Sequence, residues 1–210
     1  MNETLLGSIL NKAAESRRTQ ERFFEKYTPQ IIEAAQVVAN LLAEGSRIFV
    51  AGNGGSSCDS AHIAVEFNHP IFEELPAFEA VDLTANPALL TALLNDVGME
   101  EIFVRQLAAQ AKPKDIFIGI STSGNSTNLI KAFEWAKESN LITIALLGGN
   151  GGKIGSECET DFPFIVEANS DRNIHRVQEV HLPLYHILWD LVHVFLQKKP
   201  QFSSYALASN

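Results

Sequence analysis

Three stretches of this chain carry side chains whose types and spacing could do chemistry. The first is Ser121-Thr-Ser-Gly-Asn-Ser126, which follows the apolar run Asp115–Ile120. Four hydroxyls and a glycine fall within six residues where a strand gives way to a helix. A helix N-terminus exposes unpaired N–H groups and roughly half a positive charge. Hydroxyls and a close-approaching backbone there complete a phosphate seat without Lys or Arg; one cap would need a single hydroxyl. The second stretch is Ala51-Gly-Asn-Gly-Gly-Ser-Ser57, another glycine-rich turn opening a helix. It satisfies neither the dinucleotide fingerprint G-x-G-x-x-G nor the G-x-x-x-x-G-K-[ST] phosphate loop. The helix after it carries His62 and Glu66 at i, i+4, on one face and able to converge on a metal or to shuttle a proton.

The third stretch is a helical segment of Val, Leu and Ile interrupted by Gln178, His181, Tyr185, His186 and His193. Polar groups on such a helix need partners, and His181 and His193 read as core histidines whose nitrogens are satisfied. Gln178 and His186 are eight residues apart, about 12 Å along a helix at ~1.5 Å per residue. They converge only by reaching along the axis or by acting from different subunits.

The elements that must position these groups follow from periodicity. From Leu5 to about Ala43 apolar residues recur at helical spacing with a break near Pro29, which predicts two helices. Short β-type runs follow at Arg47–Ala51, Glu79–Leu83, Asp115–Ile120, Ile142–Leu147 and Asp161–Val166, separated by helical segments. That alternation predicts a single doubly wound α/β/α sandwich with a five-stranded parallel sheet, ligands gathering outside the carboxyl ends of the strands. The predicted layout is N-terminal helices over 1–45, the sandwich over 46–197 and a poorly ordered tail over 198–210. Asn68–Phe78, with Pro70 and Pro76, could form a loop over the site.

Composition narrows the function. The 210 residues, 46% hydrophobic, suffice for one substantial core. A formal charge of −9 without a basic cluster argues against a nucleic-acid partner. No apolar run approaches the ~18 residues of a membrane span, and the first residues do not read as a leader. Cys58 and Cys158 are too few for a disulfide framework and read as buried thiols in a reducing cytoplasm.

Taken together, Ala51-Gly-Asn-Gly-Gly-Ser56, His62-x-x-x-Glu66, Asn95-Asp96, Ser121–Ser126 and Val177-Gln-Glu-x-His181-x-x-x-x-His186 resemble the sugar isomerase (SIS) domain family over roughly residues 20–197, and within it the bacterial phosphoheptose isomerases. The resemblance implies a cytoplasmic homotetramer with active sites between subunits. It would convert sedoheptulose 7-phosphate to D-glycero-D-manno-heptose 7-phosphate, an early step in heptose supply for surface polysaccharides such as lipopolysaccharide. By motif, Ser121, Thr122, Ser123 and Ser126 would hold the phosphate. Asn53, Gly54, Asn95, Asp96, Glu66 and Gln178 would contact the substrate, and Glu66 and His186 would be the catalytic base and acid. Zinc would be held by His62, Glu66, Gln178 and His186. An aldose–ketose isomerisation needs such a base and acid, and zinc could polarise the oxygens or orient the pair. One position departs: many relatives carry a substrate-contacting Arg four residues past the catalytic Glu, where this chain has Pro70. The alternative is a non-catalytic regulator on the same fold, either of the replication-initiator-associating type, which lacks the matching Glu, or a sugar-phosphate sensor.

Overall fold

Five apolar runs with residues buried on both sides can only be satisfied by helices on both faces of a sheet. The computed structural model describes residues 2–71, 75–167 and 174–202, with side chains from residue 4. Its strands are β1 (Ile48–Gly52), β2 (Ala80–Asp82), β3 (Ile116–Ser121), β4 (Ile142–Gly148) and β5 (Phe162–Val166). All pairings are parallel, in the order β2-β1-β3-β4-β5. Each strand starts and ends within one residue of the apolar run that predicts it.

Alternate side chains of each strand feed two cores. Ile48, Val50, Ile116, Ile118, Ile144, Leu146 and Phe164 pack beneath α1 (Asn2–Ala43), α2 (Gly55–Asn68) and α7 (Ile174–Gln197). Phe49, Ala51, Phe117, Ala145 and Leu147 pack beneath α4 (Ile102–Gln110), α5 (Thr127–Glu138) and α6 (Gly152–Glu157). Helix α3 (Pro87–Asp96) lies on that second face, yet none of its residues is buried.

Two expectations are corrected. The N-terminal segment is one helix running through Pro29, where two were predicted. Proline removes a single ladder bond, and in a helix interior this costs about 3 kcal/mol. The stripe Phe23, Tyr27, Ile31, Ala34, Ala35, Val38 and Leu42 is buried continuously on either side of it, so packing outweighs the defect. The Thr28 hydroxyl donates to Phe24 O at 2.6 Å one turn below. Cys58 is exposed and Cys158 half-buried, where both were read as buried. The inward face of α2 consists of Ser56, Ser60, Ile63, Ala64 and Phe67, which leaves position 58 on the outer side. Burial pushes the Cys158 thiol up to about 11.

Of the predicted tail, Pro200–Phe202 forms a 3-10 turn whose Phe202 ring meets Phe78; residues 203–210 lie outside the described residues. Among the described residues no helix is long and apolar enough to cross a membrane. Because α1 is continuous, Pro29→Ala should restore the missing bond. We expect chemical denaturation to show a gain of about 2–2.6 kcal/mol, the ~3 kcal/mol interior penalty less the ~0.4–1 kcal/mol of unfolded-state entropy that proline removes. A loss of stability would show that proline's restriction of the unfolded chain outweighs the missing bond.

Candidate active site

In a 2-1-3-4-5 sheet the chain reverses direction of winding between β1 and β3, and the loops leaving those two strands part to opposite faces and open a crevice. Both Gly/Ser loops lie there: Asn53–Gly54 between β1 and α2, and Thr122–Ser126 between β3 and α5. A reciprocal amide pair joins the two sides. Asn53 Nδ2 donates to Asn128 Oδ1 at 3.0 Å, and Asn128 Nδ2 donates back to Asn53 Oδ1 at 2.9 Å, with Asn128 buried. The β1–α2 turn is tight because Gly52 has no Cβ; one would sit 2.4 Å from Ser56 O.

The serine loop is built as a concave seat. Ser121 ends β3, buried, and its Oγ accepts from Gly124 N at 3.0 Å and lies 3.3 Å from Ser126 Oγ. Ser126 is the N-cap of α5 but makes no side-chain cap bond, so its hydroxyl and the first helical N–H groups remain available to an anion. Ser123 Oγ, on the exposed side, accepts from Asn125 N at 3.2 Å. The loop is braced from behind by the turn after β4. Gly124 has φ 65°, and a Cβ there would meet Gly151 O at 1.9 Å. Ile154 N donates to Gly124 O at 2.9 Å, and Lys153 N to Asn125 Oδ1 at 3.0 Å. Thr122 takes part through its backbone: its carbonyl fills the space a Cβ on Gly148 would need.

Helices α2 and α7 supply the second half. His62 Nε2 lies 3.2 Å from Glu66 Oε1 and 3.4 Å from His186 Nε2. The donor atoms of these three side chains all fall within 4.8 Å of one another, each half-buried. Two imidazole nitrogens and a carboxylate oxygen this close require a shared proton or a cation between them. For zinc, bonds of 2.0–2.2 Å in a tetrahedron place donors about 3.3 Å apart, and the separations of 3.2 and 3.4 Å match that spacing. The Trp189 indole N–H donates to Glu66 O at 2.9 Å and holds that turn of α2 against α7.

Other residues named from sequence are not brought here. Gln178 packs its amide against Gly55, at the opposite end of α2 from Glu66, and lines a groove of about 400 Å³ with Asp59, His175, Arg176, Glu179 and Leu182. Asn95 and Asp96 sit exposed at the end of α3, where Asn95 Nδ2 donates to Asp96 Oδ1 at 2.8 Å. Helix α2 ends at Asn68, with His69 as its C-cap and Pro70 beyond, where no helical N–H is available to continue it. Of the loop Asn68–Phe78, residues 72–74 lie outside the described residues; its ends are tied by Asn68 Nδ2 to Ala80 O at 2.6 Å and by Phe78 N to Phe67 O at 2.8 Å.

The two core histidines differ. His193 faces two carbonyls, Trp189 O at 2.9 Å from Nδ1 and Pro76 O at 3.5 Å from Nε2, and its neutral ring donates to one of them. His181, fully buried, is only half satisfied: Nε2 meets Leu147 O at 3.2 Å while Nδ1 has no partner among the described residues. Sequence reasoning missed Asn128 and Asp59. Asn128 is an amide at a buried helical position, where its residue type is unfavourable without a partner. Asp59 precedes His62 by three residues on the same helix, and its partner Tyr185 lies 126 residues away in sequence.

The fold and this crevice define a SIS-domain protein, and the SIS domain model matches residues 13–148. A phosphoheptose isomerase from Nitratidesulfovibrio vulgaris is 37% identical over 188 residues, 90% of this chain and 88% of that one. One from Thermodesulfovibrio yellowstonii is 42% identical over 186 residues, 89% and 90% respectively. The solved structure of phosphoheptose isomerase from Neisseria gonorrhoeae superposes with a TM-score of 0.81 at 33% identity, covering 90% of this chain and 98% of that one. The chain belongs to the SIS domain family, in its phosphoheptose isomerase branch.

Two outcomes are expected from this geometry. Ser121→Ala and Ser126→Ala should each weaken inorganic phosphate binding by about 1.5–3 kcal/mol, the worth of a hydrogen bond to a charged group; unchanged calorimetric affinity in both would move the anion site elsewhere. The pKa of His181 is pushed by burial down to about 4 from 6.5. The folded protein then binds fewer protons than the unfolded chain between those values, so stability falls as pH drops from about 6.5 to about 4 and levels off below. The loss is on the order of 3 kcal/mol. Urea titrations across that range should show it, and His181→Gln should flatten it.

Proposed function

We propose that the protein interconverts sedoheptulose 7-phosphate and D-glycero-D-manno-heptose 7-phosphate in the cytoplasm. The observation that carries this reading is the convergence of Glu66, His62 and His186 beside a crevice that also holds a hydroxyl-lined helix N-terminus. A ketose becomes an aldose when a base takes a proton from C1 and returns it to C2, while the hydroxyl proton on O1 is exchanged for one on O2. The Glu66 carboxylate suits the carbon-bound proton and the His186 imidazole the oxygens. Ser121, Thr122, Ser123 and Ser126 would hold the phosphate, and Asn53 and Gly54 would border the sugar. A phosphoryl group seated at α5 fixes one end of the substrate, so that binding energy far from the reacting carbons orients them.

His62, Glu66 and His186 would hold a zinc ion, three protein ligands leaving one position open. When bound, zinc supplies a Lewis acid that polarises substrate oxygens. Gln178 joins this set only from a neighbouring subunit, and we propose a homotetramer. Helix α3 buries none of its residues while exposing Leu89 and Leu94; Leu5, Leu6, Ile9 and Leu10 of α1 are more than half exposed. Val65, Leu182 and Ile187, beside the His/Glu group, are exposed as well. Asn95 and Asp96, at the end of that uncovered α3, would reach a sugar across such an interface.

Glu66→Gln preserves shape but cannot accept a proton from carbon. We expect turnover of sedoheptulose 7-phosphate, followed by NMR, to fall about 10²–10⁴-fold with phosphate affinity intact. Near-normal turnover would remove Glu66 from the mechanism, and an inactive wild type that still binds the sugar phosphate would favour a sensor.

A further inference from the structure

The buried side of α5 consists of Asn128, Leu129, Ala132, Phe133 and Ala136, so a single amide interrupts an otherwise apolar stripe. Stability does not ask for it there. Replacing both members of a buried hydrogen-bonded pair by apolar groups of the same shape is close to neutral, and an amide in a helix interior competes with the backbone. The Asn128 amide is spent entirely across the crevice, exchanging two bonds of 2.9 and 3.0 Å with Asn53. We infer that Asn128 is a positioning residue for sugar recognition, which acts through Asn53 and holds that amide ready in the wall of the crevice.

The sheet shows where the pair works. The ladder between β1 and β3 ends at the rung of Gly52 and Ile120, so Asn53 and Ser121 leave it side by side. One chain turns into α2, which carries Glu66, and the other into the serine loop and α5. The two Asn53–Asn128 bonds continue the join past the last rung and hold the β1–α2 turn against the first turn of α5. Asn128 is 1% exposed, so its side chain affects a ligand only by way of the half-buried Asn53.

A carboxamide carries two N–H donors and two acceptor lone pairs. Pairing uses one of each on Asn53 and leaves one of each for a sugar hydroxyl, which donates and accepts in the same way. The terminal torsion of an unpaired Asn is broad, and a ligand would have to arrest it on binding. Asn128 arrests it beforehand, so the ordering cost is not charged to the ligand.

This role rests on the proposed place of Asn53 beside the sugar. Reduction of sedoheptulose 7-phosphate at its carbonyl gives a heptitol 7-phosphate that keeps the phosphate and the hydroxyls and cannot isomerise. Calorimetry with this compound and with inorganic phosphate separates the sugar contribution from the phosphate seat. We expect Asn53→Ala and Asn128→Ala each to weaken heptitol 7-phosphate by about tenfold, near the upper worth of one neutral hydrogen bond, with phosphate affinity within about twofold of wild type. Because Asn128 acts through Asn53, the double variant should be within about twofold of the weaker single variant. A residue that merely braces α5 would weaken both ligands alike, and its effect would multiply with that of Asn53→Ala. Either of those patterns overturns the inference, as does an Asn128→Ala protein that binds heptitol 7-phosphate like the wild type, or a wild type that binds it no better than phosphate. Asn128→Leu keeps the volume without the amide and carries the same test should Asn128→Ala fail to fold. Turnover of sedoheptulose 7-phosphate by the wild type is a separate readout: without it the isomerase reading fails, while the pattern of affinities still decides the role of Asn128.

Discussion

Helices α2 and α7 run side by side in the same direction, in step. Gln178 meets Gly55, Tyr185 and His186 meet His62, and Trp189 meets the carbonyl of Glu66. A slip of one turn, about 5.4 Å, would break every one of these contacts together. The stagger is held where side chains press on bare backbone. Gly55 lets the Gln178 amide come to where a Cβ would stand, and Gly148 does the same for Val177. One turn along from Val177, His181 holds the carbonyl of Leu147. The helix that carries His186 is thus indexed against both the β1–α2 turn and the end of β4, the strand whose following turn braces the serine loop.

This indexing is why the two halves of the crevice behave as one site although they grow from opposite faces of the sheet. Helix α2 belongs to the core with α1 and α7, and α5 to the core with α4 and α6. What the halves share is the carboxyl edge of β1 and β3, paired from Ile48 and Ile116 up to Gly52 and Ile120. A parallel sheet ends there in free backbone groups, and the Gly/Ser loops convert those ends into binding surface.

The strands were legible because burial on both faces demands continuous apolar runs, and five such runs separated by helical periodicity leave few other architectures. Pro29 misled for the opposite reason: a local rule was overruled by a stripe of packing that only the tertiary structure supplies. The i, i+4 spacing of His62 and Glu66 carried real information, because helix geometry alone puts them on one face. The long separation of Gln178 from His186 was equally informative, and within the chain the two do stay apart. Asp59 and Asn128 were not legible. Their partners Tyr185 and Asn53 are 126 and 75 residues away, and no local spacing encodes a pairing of that range.

The amide pair between Asn53 and Asn128 has a consequence for how such a chain can evolve. Each amide offers one donor and one acceptor to the other, so the two positions hold matching halves of a single code. An Asp at either would set oxygen against oxygen, and an apolar residue at either would strand a buried amide without a partner. Neither position can drift alone without loosening the join between the two faces of the crevice. In lineages descending from this sequence, positions 53 and 128 should therefore be inherited as a couple, changing together or not at all.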